Sequence, residues 1–468
     1  MSSYQAWAAP TSARPARDAH RPPRELASPD TTKSWPLSDA PWRGVSWSLT
    51  YVAFLWYMAV VTTYHLPGAD IAMAAALLGL IVDREPRRFP ALLALFGAFI
   101  AWAAVAYPVT RYPELVQERV TLLVKLWLIA LVAVNALRTR RQIRFFVIFF
   151  LACFALYPLR GAFVNYFVGY SVVGRAVWNF IYGNPNDLAA LTLLQLSMAV
   201  GLLATERPRS WVWIAALAGV VLLPLLVLMT QSRGGVIALA VVTVLLLIAR
   251  WRRPRALLAA AALAVSVVLL APTGVWTRMG GLFKAKSTAE LRKVDPEGSA
   301  KSRFEIWNVA VKIIRDQPVI GVGAGAYGPA HAAYSRDEEF DAAAKGTRDT
   351  HSTVLNVLAE TGVPGLMLFL ALLLTTAWKT ERIRRVCRAK LPRESMQLLY
   401  LELGLLGFCV AGIFGSFAYL AFLYIHLVLM WSLAEVCRQE VRAAGSGWRA
   451  AGSPSERLRR TGDGITIR

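Results

Sequence analysis

The side chains best equipped for chemistry in this sequence are one histidine and a set of arginines. His351 lies in DTHSTVLNVLAETGVPGL (349–366), where a polar stretch meets an apolar block. Imidazole is the side chain best suited to accept a proton near neutral pH. An isolated histidine is more often a packed structural residue than a base. His351 stands apart because it opens a helix at an apolar boundary, beside a long polar connection. The other histidines have plainer settings. His20 is in a Pro/Arg-rich terminus, His65 in a short turn, His331 in the polar connection without a motif, and His426 inside an apolar block.

The arginines form the second signal. Arg233 sits in TQSRGG between two apolar blocks, and Arg160 and Arg175 bracket the segment before GNPND (183–187). Arg278 and Arg303 lie at the start and middle of the long connection. A single arginine at a membrane boundary commonly snorkels to headgroups. Five on one face, where such residues are otherwise scarce, point instead to a bound anion. The planar guanidinium fork suits phosphate and diphosphate. Neither an Asp-x-Asp pair nor a Cys/His cluster with zinc spacing occurs, so neither a metal nor a cofactor is expected. The acidic run Asp337, Glu338, Glu339 and Asp341 reads as a solvated face. The Gly-rich 321–328 run lacks the lysine of a phosphate-binding loop and reads as a tight turn that allows close backbone approach. Glu360 is expected either to face a polar cavity or to cap the Gly-Pro break that follows it.

The elements that must position these groups are membrane helices. Of 468 residues, 56% are hydrophobic and 17% charged, with mean hydropathy +0.46. Soluble domains average about 45–50% apolar and about 25% charged, so a soluble globular protein is excluded. The net charge of +22 would suit a nucleic-acid partner in a soluble chain. Here the basic residues sit between apolar blocks, and a membrane surface accounts for them.

Twelve apolar blocks follow one another, near 46–64, 69–82, 89–107, 120–136, 143–159, 187–204, 211–229, 235–249, 256–275, 353–378, 396–414 and 417–435. The block at 69–82 is short, and 353–378 is long and carries Gly362, Pro364 and Gly365, which predicts two pieces. With the N-terminus cytoplasmic, the inside loops hold twenty Lys/Arg and the short outside loops five. That bias places both termini inside. The expected organisation is a disordered cytoplasmic tail (1–45), transmembrane helices 1–9 (46–275), a large periplasmic loop (276–351), helices 10–12 (352–436) and a second tail (437–468). No cleavable signal precedes the first block, which serves as its own targeting signal.

The loop has 12 Lys/Arg and 10 Asp/Glu between 276 and 349, and is long enough to fold. Its Ser302–Arg315 segment has helical periodicity, with Ser302 and Glu305 spaced as a capping box and Pro318 as a stop. Four cysteines, Cys153, Cys387, Cys409 and Cys437, all fall outside this loop, so disulfides are not expected to hold it.

The stretch 302–366 resembles the O-antigen ligase/polymerase superfamily of bacterial membrane proteins. The resemblance rests on SRFEIWNVAVKIIRDQPVIGVGAGAYG and on HSTVLNVLAETGVPGL, with His351, Ser352, Leu355, Glu360, Gly362 and Gly365 in the family's order. Ser352 departs from the more usual asparagine. GNPND and TQSRGG are similar to two upstream family signatures. The resemblance implies an all-α integral membrane fold of about twelve helices with one large, partly helical periplasmic loop. It also implies a donor carried on undecaprenyl diphosphate and an active site facing the periplasm of a Gram-negative inner membrane. The family's arginines and histidine map onto Arg233, Arg303 and His351.

The implied reaction is attack of an acceptor hydroxyl on the anomeric carbon of a sugar with a lipid diphosphate leaving group. His351 is the expected base. Arg233 and Arg303, then Arg160, Arg175 and Arg278, are expected to stabilise the departing diphosphate, and direct displacement would invert the anomeric centre. The leading expectation is an O-antigen ligase with lipid A–core as acceptor and membrane lipid around it. An O-antigen polymerase and a protein O-oligosaccharyltransferase need the same groups. A lipid-linked oligosaccharide transporter would show internal repeats and broken midplane helices; no convincing repeat is visible.

Overall fold

The computed structural model describes residues 40–250, 276, 299–336, 338–340 and 342–451. Among these the chain is helical, with one isolated bridge between Val172 and Arg175 and no strand. In chain order the helices are α1 (Leu49–Thr63), α2 (Ala69–Val82), α3 (Ala91–Val105), α4 (Pro113–Ala136), α5 (Arg140–Phe154) and α6 (Arg160–Phe167). Next come α7 (Pro185–Thr205), α8 (Trp211–Met229), α9 (Arg233–Arg250), α10 (Ser299–Asp316) and α11 (Tyr327–Tyr334). Last are α12 (Thr353–Cys387), α13 (Pro392–Gly412) and α14 (Ala421–Ala451).

Eleven of the apolar blocks coincide with helix, and the block at 256–275 lies outside the described residues. Among the described residues seven helical stretches are long and apolar enough to cross a membrane, while α1, α2, α3 and α9 are shorter. This is a multi-pass membrane protein.

Boundaries differ from expectation where local chemistry outweighs hydropathy. Helix α4 begins at Pro113, not near 120, because proline fits the first helical position and Glu114 favours the first turn. Arg119 is therefore a helical residue and not part of a loop. The fifth block does not stop at 159. It passes through a π segment at Ala155–Leu159 around Pro158 into α6, so Arg160 stands on a helix. Helix α10 begins at Ser299, which puts Ser302 inside the helix and not at its cap. Helix α14 runs past 436, with Arg438 and Gln439 both bonded to Glu435 one turn back.

The bundle packs around one long apolar core in which Tyr51, Phe96, Phe150, Tyr182 and Phe422 are fully buried. A second, smaller core joins α10 and α11 through Ile306, Val309, Ile313 and Tyr327 and docks on Ala359 of α12. The polar connection is thus anchored to the bundle by its own apolar stripe.

That docking uses a break in α12. Gly362 has φ 67° and ψ −173°, far from helical values. The break diverts Val363 N–H to the carbonyl of Pro318, and Pro364 has no N–H to offer the Glu360 carbonyl. The freed carbonyls are satisfied from elsewhere. Val322 N–H donates to Ala359 O at 3.0 Å, and Gly323 N–H to Glu360 O at 3.0 Å. Trp102 Nε1 donates to Thr361 O at 2.8 Å. In a membrane setting such accounting is obligatory. The Gly-rich run at 321–328 is therefore the hydrogen-bonding partner of the broken helix. A Cβ on Gly321 would stand 2.5 Å from the Glu360 carbonyl carbon, and φ is +71° there. Only glycine fits.

Candidate functional site

His351 sits immediately before α12, at φ 50°, in the left-handed region that asparagine, aspartate and histidine visit more than other side chains. Its neighbours hold it there. Thr350 is buried, and its hydroxyl lies 2.7 Å from that of Ser416 while accepting from Ser352 N–H at 3.3 Å. Thr353 Oγ1 donates to Gly415 O at 2.7 Å and accepts from Phe417 N–H at 3.0 Å. The start of α12 is thereby locked to the turn between α13 and α14. On the other side, Trp307 of α10 donates from Nε1 to Thr350 O at 2.9 Å. Residues one helical turn apart share a face, so this bond also brings Arg303 to His351.

Arg175 approaches from a different part of the chain. Its Nε donates to Thr230 O and its Nη2 to Asn186 Oδ1, both at 2.8 Å. Gln231 Nε2 donates to Gly174 O at 2.8 Å, and Ala176 N–H to Met229 O at 2.9 Å. These bonds join TQSRGG, the 172–176 loop and GNPND into one unit. The two glycines of TQSRGG let α9 start close to its neighbours. A Cβ on Gly234 would meet Phe414 at 2.8 Å, and one on Gly235 would meet Ala189 at 2.7 Å.

The electrostatics of His351 follow from this packing. Burial lowers its pKa from the ordinary value, and Arg303, Arg175 and Arg348 lower it further. Asp349 opposes them, with Oδ2 3.6 Å from His351 Nδ1. That distance is electrostatic and longer than a hydrogen bond. The imidazole is therefore neutral at pH 7, the state a proton acceptor requires. Its side chain retains 32% exposure, so a reactant can reach it. Asp187, in the first turn of α7, lies within electrostatic range of Asp349.

Of the expected site residues, His351, Arg303 and Arg175 come together. Arg233 is half-buried and opens α9, three positions after the carbonyl that holds Arg175. Arg160 is exposed on α6 and is not among the arginines bearing most on His351. Arg278 lies outside the described residues.

Two neighbouring residues, Arg348 and Arg119, carry no motif signal, while Asn186 and Asp349 lie inside GNPND and the His351 motif without being singled out there. Arg119 stacks over the Tyr419 ring at 4.5 Å. Tyr419 in turn donates to Glu360 Oε2 at 2.5 Å, while Tyr327 N–H donates to Glu360 Oε1 at 3.4 Å. Glu360 thus caps the Gly-rich turn and is fully committed to structure. The other described histidines are packed or hydrogen-bonded inside the fold. His331 has Nδ1 2.8 Å from Gly346 O, His426 has Nε2 2.9 Å from Leu401 O, and His65 packs between Tyr157 and Trp178.

Residues 217–370 match the family model described as O-antigen ligase. This segment belongs to the O-antigen ligase family. It contains Arg233, Arg303, His351, the Gly-rich turn and the break at Gly362. Arg175 and Asn186, bonded to each other near His351, lie outside the matched segment, as do Arg119 and Tyr419 beside Glu360. No curated protein matches the chain.

Proposed function

We propose that the protein is an O-antigen ligase that moves a glycan from undecaprenyl diphosphate to a hydroxyl of lipid A–core. The reading rests on one observation: a partly exposed His351, just before α12, lies within electrostatic range of both Arg303 and Arg175. His351 takes the proton of the acceptor hydroxyl as its oxygen attacks the anomeric carbon. The bond from that carbon to the diphosphate oxygen breaks, and the electron pair leaves with the lipid diphosphate. Arg175 and Arg303, backed by Arg233, stabilise the charge that develops there. Attack opposite the leaving group inverts the anomeric centre. Arg160, exposed on α6, is assigned an outer position along the donor's path. The site faces the periplasm of the inner membrane in this reading, consistent with the basic residues concentrated at the other end of the bundle.

The test is transfer in vitro, with purified protein, undecaprenyl-diphosphate-linked glycan and lipid A–core, in the presence of EDTA. Glycan appearing on the core, indifferent to EDTA, is the expected result. Lengthened lipid-linked chains without product on the core would make the protein a polymerase. Product on an added protein acceptor alone would make it a protein glycosyltransferase.

Arg175→Lys separates charge from geometry in the same assay. Lysine keeps the positive charge but cannot reproduce the bonds to both Thr230 O and Asn186 Oδ1. Two hydrogen bonds at about 0.5–1.5 kcal/mol each predict a fall in transfer of roughly ten- to a hundredfold. A rate within twofold of wild type would show that only the charge matters.

A further inference from the structure

The end of the bundle opposite His351 holds a cavity of about 390 Å³ that the transfer reaction does not use. It opens between the start of α3, the end of α4, α12 and α14, and is lined by Arg88, Phe89, Lys379, Trp431, Glu435 and Arg438 among others. On either side of the Gly362 break α12 climbs roughly 12 Å from Thr353 to Thr361 and roughly 24 Å from Val363 to Lys379, at about 1.5 Å per residue. A hydrocarbon core is about 30 Å thick. The cavity therefore lies at the membrane boundary facing away from His351.

Its charge is unbalanced. Arg88, Lys379 and Arg438 face one carboxylate, Glu435. Both oxygens of Glu435 are engaged: Oε2 lies 3.2 Å from Lys379 Nζ, and Oε1 lies 2.5 Å from Arg438 Nη2. Lys379 Nζ also stands 3.5 Å from the centre of the Trp431 ring. The carboxylate thus fixes the positions of two cations while leaving the cavity with a positive excess. Arg88 lies outside that ion-pair group. The rim adds an apolar element, since Phe89 is 61% exposed and tilts against Trp127 at 6.0 Å. A soluble anion would gain nothing from an exposed phenyl ring beside three cations. An amphiphile with an anionic head would use both.

We propose that this cavity binds the phosphate of an anionic phospholipid, with Arg88, Lys379 and Arg438 on the phosphate and Phe89 against the acyl chains. Basic pockets between transmembrane helices suit such headgroups.

The test is native mass spectrometry of the full chain in detergent with phosphatidylglycerol or phosphatidylcholine. Wild type is expected to retain phosphatidylglycerol at least tenfold over phosphatidylcholine. Arg88→Gln/Arg438→Gln is expected to abolish that preference. Arg207→Gln/Arg209→Gln, at the same end but outside the cavity, is expected to keep it. Soluble glycerol phosphate at the same concentration is expected to displace nothing. Should the double variant not fold, Arg88→Gln alone carries the test, with a several-fold loss expected. Equal retention of both lipids by wild type would overturn the proposal, as would equal losses in the cavity and control variants. So would displacement by glycerol phosphate, which would assign the cavity to a free anion.

Discussion

Replacing His351 by alanine is expected to lower glycan transfer by about 10²–10⁴-fold, the usual contribution of a positioned base. The fold should survive, because the side chain is partly exposed and the bonds that fix this turn belong to Thr350, Ser352 and Thr353. His351→Asn isolates the imidazole further. Asparagine accepts the left-handed backbone found at φ 50° but cannot take a proton at neutral pH. Equal losses in both variants, with wild-type levels of membrane-inserted protein, are the expected outcome. If the asparagine variant kept wild-type transfer, His351 would be a backbone residue only.

The pH profile of the wild type provides an independent check. A base works when deprotonated, so transfer should fall as pH drops through the pKa of His351. Burial and three arginines depress that pKa. The acid limb should therefore lie below the ordinary imidazole value of about 6.5. Arg303→Gln removes one depressing charge and should move the limb towards neutral pH, whatever it does to the maximum rate. Asp349→Asn removes the opposing charge and should move the limb further to acid. A limb that ignores both substitutions would sink the assignment of His351 as base.

Gly362→Ala is expected to cost the fold more than any other single methyl group in the domain. The position has φ 67° and ψ −173°, a region open essentially to glycine alone, and forcing another residue there costs about 1–3 kcal/mol. Steric overlap adds to this, because the new Cβ would lie 2.0 Å from the carbonyl oxygen of Val319. Relief would require the 318–323 segment to move, and that segment supplies the hydrogen bonds to Ala359 O and Glu360 O. Buried polar groups left unpaired cost about 1–3 kcal/mol each. Loss of most protein from the membrane fraction, or a large drop in melting temperature in detergent, is the expected result. Gly346→Ala is the control, since its φ of +77° is also positive but nothing lies within 4 Å of its added Cβ. A Gly362→Ala protein as stable as the Gly346→Ala control would show that the kink is adaptable.

Much of the site was legible in the residues themselves. His351 stands out as a titratable base at an apolar boundary, and Arg303 as a planar cation in the polar connection on the same face. Arg175 was singled out on the same ground, but its partners were not. Its anchors are a backbone carbonyl 55 positions away and the Asn186 amide. A carbonyl has no letter in the sequence. The same limit applies to Glu360. Its spacing before the Gly-Pro break was visible, but its commitment to Tyr419 and Tyr327 depends on which hydroxyl and which N–H the fold delivers.

Composition and periodicity determined the solvent of this protein, its helical class and the rough position of its apolar blocks. Those properties are sums over local residues, and each block must satisfy its backbone internally to enter a membrane. Only the tertiary structure decided where the helices bend, which arginines meet the histidine and why the two glycine motifs occur together. The Gly-rich run and the broken helix are halves of one device. One half frees carbonyls that the other must bond, and pairings between distant segments leave no periodic trace in either one.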